Sequence, residues 1–243
     1  MDYHIYHYPT LTSTNDEAKR LAALDEPEGT VVVADTQTAG RGRSGRAWIT
    51  PPGAAIAMSI ILRPRVTSAY TTQIALLGGL AAREGIFRVT GLPAQIKWPN
   101  DVLVRGKKVA GVLAEAAFDG EQVEYVVLGI GVNVNAGPPP DLRLEYPAAP
   151  LAAEAGTALE RDSVMTAILS ALNDHYPQLG TPALAAAWSE HLAMRGQTVQ
   201  VIGVAETIVG RLEGVTGEGA LVIRLASGKM RTILAGDVHL RPG

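Results

Sequence analysis

The stretch Ala39–Gly53, AGRGRSGRAWITPPG, sets Arg41, Arg43 and Arg46 among Gly40, Gly42 and Gly45 and follows them with Trp48. No acidic residue lies between Asp35 and Glu84. Alternating glycines let backbone amides turn toward a ligand. Arginine's planar fork matches carboxylate and phosphate, and an indole offers a flat surface to a ring. An anion carrying a ring would suit this chemistry. Taken alone, the stretch reads equally well as a solvated loop or a short RGG-like nucleic-acid segment.

Two further clusters have site-forming composition. In Lys97–Glu115, KWPNDVLVRGKKVAGVLAE, Pro99 biases Trp98 toward extended backbone, which brings Asn100 and Asp101 to the start of a strand. Past the Arg105-Gly106 turn, Lys107 and Lys108 go one to each face, and Gly111 leaves room for close approach to the backbone. In Gly129–Asn135, GIGVNVN, period two puts Gly129, Gly131 and Asn133 on one side of a strand. Small residues there make a pocket floor, and the Asn133 carboxamide can both donate and accept. Alone, the first of these clusters is a hairpin with a charged tip. The second is a tightly packed buried strand, because G-x-G lacks the third glycine of a dinucleotide fingerprint.

The elements that must hold these clusters follow from pattern. Ser13–Leu24 reads as a helix, with Ser13/Asp16 or Thr14/Glu17 as a capping pair. Thr30–Asp35 and Ala54–Leu62 read as strands flanking the arginine loop. Ser68–Ile86 reads as a helix, whose Gly78 and Gly79 imply close packing. The Lys97 cluster reads as a hairpin, with one arm running from Ala94 to Val104 and the other from Lys107, and Glu124–Ala136 as a buried strand. Pro138, Pro139, Pro140, Pro147 and Pro150 mark an irregular connection. An amphipathic helix then carries Val164, Ile168, Leu172 and Tyr176 one turn apart, and a second opens near Pro182. From Gly196 onward, short valine- and leucine-rich runs split by glycines read as a small all-β barrel. The boundary falls near residue 196, giving domains 1–195 and 196–243.

Composition narrows the partners. The 243 residues are 47% apolar, enough for a sizeable core. A net charge of −3 argues against a general nucleic-acid binder, so any anion site is local. The absence of cysteine excludes disulfides and thiolate metal sites, and the histidines are scattered, so no protein metal site is expected. The N-terminus lacks the character of a signal peptide and no run of 18 apolar residues exists. These features fit a cytoplasmic globular protein with no membrane partner. Lys19-Arg20 and Arg63/Arg65 read as solvated faces.

Taken together, Ser13-Thr14-Asn15, the loop from Gly40 to Trp48, Lys97 to Asp101, Lys108 to Gly111, and Gly129 to Asn133 resemble, in order and wording, the motifs of the biotin protein ligase (biotin–acetyl-CoA-carboxylase ligase) family. The resemblance extends over essentially the whole chain. It implies an α/β catalytic domain of the α+β type, a mixed sheet with flanking helices like that of class II aminoacyl-tRNA synthetases, plus a C-terminal SH3-like β-barrel. It also implies an ATP-dependent ligase that makes biotinyl-5′-adenylate and transfers biotin to a lysine of a biotin carboxyl carrier domain, with Mg2+ carried on the ATP phosphates. By resemblance, Lys108 and Arg43 are the catalytic cations. Ser13, Thr14, Asn15, Gln37, Gly40, Arg41, Arg43, Lys108, Gly111 and Gly129 fall to biotin. Arg46, Trp48, Asn100, Lys108 and Asn133 fall to ATP. Asp101 is expected to pair with an arginine of the ordered loop.

Ser44 departs from the arginine that some members carry within the loop. Some members also have an N-terminal winged helix-turn-helix. Here Ser13 already belongs to the catalytic motif, so the short class is expected, without DNA binding. Members often pair through sheet edges, so a homodimer is one expected state. A lipoate or octanoate ligase of the same fold, a single-stranded nucleic-acid binder and a non-catalytic biotin-binding module are the alternatives. The full arginine loop with K-W-P-N-D disfavours the first, and the acidic net charge disfavours the second.

Overall fold

The structure, a computed structural model, describes residues 1–49, 51–139, 146–202, 206–234 and 239–242. Pro140, one of the prolines read as marking an irregular connection, lies outside them. Seven strands form the main sheet: β1 (His4–Leu11), β2 (Thr30–Gln37), β3 (Ile56–Leu62), β4 (Ala94–Lys97), β5 (Asp101–Val104), β6 (Lys107–Asp119) and β7 (Gln122–Val132). Their order is β1-β2-β3-β7-β6-β5-β4. β1 and β2 run parallel and all other neighbours antiparallel. This is the mixed sheet that the sequence implies.

The two faces of the sheet differ in residue size. The back face carries Val31, Val33, Met58, Ile60, Val126, Leu128 and Ile130, packed into the main core with α2 (Thr71–Thr90) and α4 (Arg161–His175). On the front, α1 (Thr14–Ala22) is the crossover between β1 and β2, and its Ala18, Leu21 and Ala22 form a small cluster with Val32, Ile61 and Val127. The glycines of α2 bring it close to its neighbours. A Cβ on Gly78 would lie 2.7 Å from Val112 Cγ1. One on Gly85 would lie 2.6 Å from the backbone nitrogen of Ile168 on α4. The close packing expected at Gly78 and Gly79 is present.

Three local readings change, and one strand appears where none was read. No side chain caps α1: Ser13 occupies the N-cap position, but neither capping pair forms. Instead the Thr14 hydroxyl is drawn into the hydrogen-bond cluster described below. The N-terminal segment forms β1, an edge strand with Ile5 and Tyr6 exposed, so it shows no alternation of burial to betray it. The arm from Ala94 to Val104 is itself a hairpin. Lys97 pairs with Asp101, the chain reverses through Trp98-Pro99-Asn100, and the Trp98–Pro99 peptide is cis. Lys19 and Arg63 are engaged rather than simply solvated. Lys19 pairs with Glu115, and Arg63 donates to the carbonyls of Ala22 and Glu26 behind α1.

The turn between β5 and β6 is the expected Arg105-Gly106, with both residues at positive φ, as a two-residue hairpin turn requires. Glu154 of α3 (Leu151–Ala155) ties this turn down by accepting from Arg105 and Lys107. Those bonds hold its carboxyl below the usual glutamate range, Lys107 most strongly.

The C-terminal strands β8 (Thr198–Ile202), β9 (Thr207–Val215), β10 (Leu221–Arg224), β11 (Met230–Ile233) and β12 (His239–Pro242) form an antiparallel sheet in the order β11-β10-β9-β8-β12. The small all-β unit is therefore present. Among the described residues no ladder joins β11 to β12 and no closed barrel forms. Its Val199, Val201, Leu212, Leu221 and Ile223 belong to the same core as the main sheet. Two buried polar side chains stitch the units together. Trp98 Nε1 donates to the carbonyl of Gly219 at 3.0 Å, and the Gln73 carboxamide donates to those of Gly217 and Thr181.

Gly85→Ala should cost about 1–3 kcal/mol of stability, because the contacted atoms are backbone and cannot rotate away. Chemical denaturation checks this, and an unchanged midpoint would show that α2 and α4 can separate freely.

Candidate active site

Strand register lines up two rows of residues across the front face. One runs Val32, Ser59, Gly129, Leu113, and the other Ala34, Ala57, Gly131, Gly111, Asp101, Lys97. Small side chains in the middle of both rows leave a trough across the sheet, walled by α1 at one end and by the β4–β5 hairpin at the other. The glycines are used. A Cβ on Gly129 would lie 2.2 Å from Asn15 Oδ1, and one on Gly131 would lie 2.3 Å from Cε2 of Trp48.

The arginine loop folds back over this trough. Trp48 N–H donates to the carbonyl of Gly40 at 2.8 Å, Gly42 N–H donates to that of Arg46 at 2.7 Å, and Arg41 bridges to Ala47. Gly40 is buried, and a Cβ there would meet the Trp48 carbonyl and Gln37 Nε2, at 2.4 and 2.7 Å. The hairpin lays the Trp48 indole on Gly131 and Gly111. Ser44, in the left-handed region at φ 56°, shapes the tip, and Arg43 and Arg46 flank it.

Lys108 reaches the trough because of a bulge. Val102 pairs with Ala110 but Leu103 pairs with Lys108, so Val109 is an extra residue on β6. Gly111 lies three positions after Lys108, which on a regular strand would send them to opposite faces. The bulge returns Lys108 to the Gly111 side, its Nζ 3.2 Å from where a Gly111 Cβ would be. Nζ lies 5.7 Å from the Trp48 ring centroid and 2.5 Å from Asp101 Oδ1. The expected partner of Asp101, a loop arginine, is thus replaced by Lys108, with Lys97 4.0 Å from its other oxygen. Lys97 also lies 5.0 Å from the ring centroid of Tyr146. Pro147 and Ala149 hydrogen-bond the Lys108 backbone and fix it from the outer side.

Asn100 turns its carboxamide onto the carbonyl of Val112 at 2.7 Å, which clips the hairpin turn to β6. Asn133 follows β7 with its backbone held by Val109 and Leu151. Its Oδ1 and the Nε1 of Trp48 are buried without hydrogen-bond partners among the described residues. Buried polar atoms seldom stay unpaired, so an acceptor and a donor that both border the floor mark where a polar ligand could be read.

At the α1 end, Ser13, Thr14 and Asn15 are all buried. Thr14 N–H donates to Gln37 Oε1 at 2.8 Å, and the Thr14 hydroxyl lies 3.1 Å from the same oxygen. Ser59 Oγ sits 2.8 Å from Thr14 Oγ1 and 2.6 Å from Asn15 Oδ1. Asn15 Nδ2 donates to Glu115 Oε2 at 2.7 Å. Arg41 grips Asp16 with both terminal nitrogens, and Glu115 lies 3.9 Å from it. Hydrogen bonds from Arg41 hold the Asp16 carboxyl below the usual aspartate range. Its contribution is therefore present at neutral pH and is lost as pH falls through that lowered value.

The structure thus gathers Lys108, Gly111 and Trp48 at one end of the trough and Thr14, Asn15, Gln37, Gly129 and Arg41 at the other, with Asn133 bordering the floor. Ser59, Glu115, Asp16 and Tyr146 are members that motif reading missed. Ser59 carried a signal, as the one hydroxyl in the apolar run Ala54–Leu62. Glu115 carried none, because its partners are far away in the chain.

Gly131→Ala should unseat Trp48 and open the hairpin. Trypsin is then expected to cut after Arg41, Arg43 or Arg46 faster than in the parent protein. Equal cleavage rates would show that Trp48 does not hold the loop.

With this geometry in view, comparison with known proteins is informative. The sequence profile of the Biotin/lipoate A/B protein ligase family matches residues 8–133, and that of the Biotin protein ligase C terminal domain matches residues 196–241. The Bifunctional ligase/repressor BirA of Bacillus subtilis (strain 168) is 36% identical over 99% of this chain and 75% of its own length. The Biotin--[acetyl-CoA-carboxylase] ligase of Paracoccus denitrificans is 36% identical over 93% of this chain and 96% of its own. The solved biotin protein ligase from Aquifex aeolicus in complex with biotin and ATP has a TM-score of 0.84 to this chain at 28% identity, covering 99% of each. Matched along nearly its whole length in sequence and in fold, the chain belongs to the biotin protein ligase family.

Proposed function

We propose that this chain activates biotin with ATP and transfers it to one lysine of a biotin carboxyl carrier domain of a carboxylase such as acetyl-CoA carboxylase. A carboxylate is a poor acyl donor because its leaving group would be oxide. In the first step a biotin carboxylate oxygen attacks the α-phosphorus, the bond to the β-phosphate oxygen breaks, and pyrophosphate leaves. In the second step the carrier lysine's neutral amine attacks the acyl carbon, AMP leaves, and the nitrogen loses a proton. Both substrates of the first step are anions, so positioned cations matter more than a protein nucleophile.

The observation that supports this reading most is the bulge that delivers Lys108. It places one ammonium at the meeting point of the trough, the Trp48 platform and Asp101. A carboxylate and an α-phosphate brought together there would share that cation in place of Asp101. Arg43 and Arg46 then serve the carboxylate side and the phosphates. Trp48 and Asn133 serve the adenine, and Asn100 orders the turn beside it. Ser13, Thr14 and Gln37 serve the biotin ring, whose ureido group needs both donors and acceptors. Gly40, Gly111 and Gly129 keep the backbone within reach. Magnesium would arrive on the ATP phosphates. The division into a catalytic region 1–195 and a C-terminal unit 196–243, and action in the cytoplasm, complete the proposal. Among the described residues no helix is long and apolar enough to cross a membrane.

Lys108→Ala should slow biotinyl-adenylate formation by about 10²–10³-fold, the usual effect of removing one preorganised donor. Single-turnover assays with labelled ATP measure it, and a rate near wild type would contradict the assignment of Lys108.

A further inference from the structure

We infer that Glu115 is a positioning residue. It sets the direction of a hydrogen-bond relay that ends at the groups facing the biotin ring. The inference rests on the biotin reading above. The relay runs Glu115, Asn15, Ser59, Thr14, with heavy-atom distances of 2.7, 2.6 and 2.8 Å along its side chains.

Its protons can be assigned from its ends. As a carboxylate, Glu115 can only accept, so the Asn15 amide must turn Nδ2 toward it and Oδ1 toward Ser59. Asn15 Oδ1 cannot donate, so the single Ser59 proton goes there. The Thr14 hydroxyl, 2.8 Å from Ser59 Oγ, then has to donate to it. Beside the relay, and independently of it, the backbone N–H of Thr14 can only donate, which fixes Gln37 Oε1 as its acceptor. Gln37 Nε2 is thereby turned away, toward Gly40 at the base of the loop.

The outcome is a fixed polarity. Gln37 offers a donor and Thr14 offers lone pairs, the complement of a ureido carbonyl and a ureido N–H. Without an acceptor-only group at the start, Asn15 could flip, Ser59 could reverse, and the Thr14 hydroxyl would lose its single direction. Glu115 also pairs with Lys19 and lies near Arg41, so the same carboxylate joins the relay to the base of the loop.

A charge swap tests this. Asn15→Asp sets two carboxylates face to face. Adding Glu115→Gln restores one carboxylate and one amide, now exchanged, and Ser59 still has an acceptor. Biotin-dependent adenylate formation is measured for wild type, N15D, E115Q and N15D/E115Q, with KM for biotin and ATP, kcat and thermal midpoint. N15D is expected to raise the biotin KM by about tenfold or more, as for loss of a hydrogen bond to a charged group, with the ATP KM near wild type. The double variant is expected to recover to within about threefold of wild type.

A double variant no better than N15D would overturn the inference, as would biotin and ATP KM values that rise together. If wild type forms no adenylate, the biotin reading fails on its own. The relay is then judged by the thermal midpoint, which N15D must lower and the double variant must restore. No restoration would overturn it.

Discussion

The structure depends on the register that sets Gly131 opposite Gly111 and Gly129 opposite Leu113 in the centre of a sheet whose other face is a packed core. Here the back face supplies the apolar burial and the front is left shallow between α1 and the β4–β5 hairpin. One added methyl at Gly129 or Gly131 would collide with Asn15 or Trp48. The arginine loop has somewhere to lie only because of this trough, and Lys108 has something to point into only because the bulge at Val109 turns it the same way.

Charge follows the same economy. A chain of net charge −3 has no general attraction for anions. It holds cations locally, each against an acid: Arg41 on Asp16, Lys108 on Asp101, Lys19 on Glu115. These pairs keep the cations in place before any anion arrives. The Arg41–Asp16 pair is exposed enough to be individually weak, so an incoming anion can exchange for that acid at small net cost, while the mostly buried Asp101 keeps Lys97 4.0 Å away. The two ends of the trough thus differ in character. At the α1 end a buried row of neutral groups lies inside two such pairs, and at the other end Lys108 and Lys97 converge on Asp101.

Much of this was legible in the sequence. Glycine and asparagine at period two in GIGVNVN announced a floor, and the strands on either side of the arginine loop showed in their apolar runs. The loop's composition announced anion chemistry. What the sequence hid was long-range or compensatory. β1 is a polar edge strand without alternation. The bulge that brings Lys108 and Gly111 to one face leaves no mark in a run of residues. Glu115 and Ser59 lie far along the chain from the motif residues they orient. Asp101 was expected to meet an arginine and meets a lysine, because the register between β5 and β6 sets its neighbours. The C-terminal unit was recognisable by glycine-split runs, but its strand order depends on pairing that composition does not encode.

The most direct test of the account is adenylate formation by the purified chain with α-labelled ATP and magnesium, no acceptor, and biotin, lipoate or octanoate in parallel. The account predicts a labelled acyl-adenylate with biotin alone. An adenylate with lipoate or octanoate and none with biotin, or none with any acid from folded protein, would contradict it.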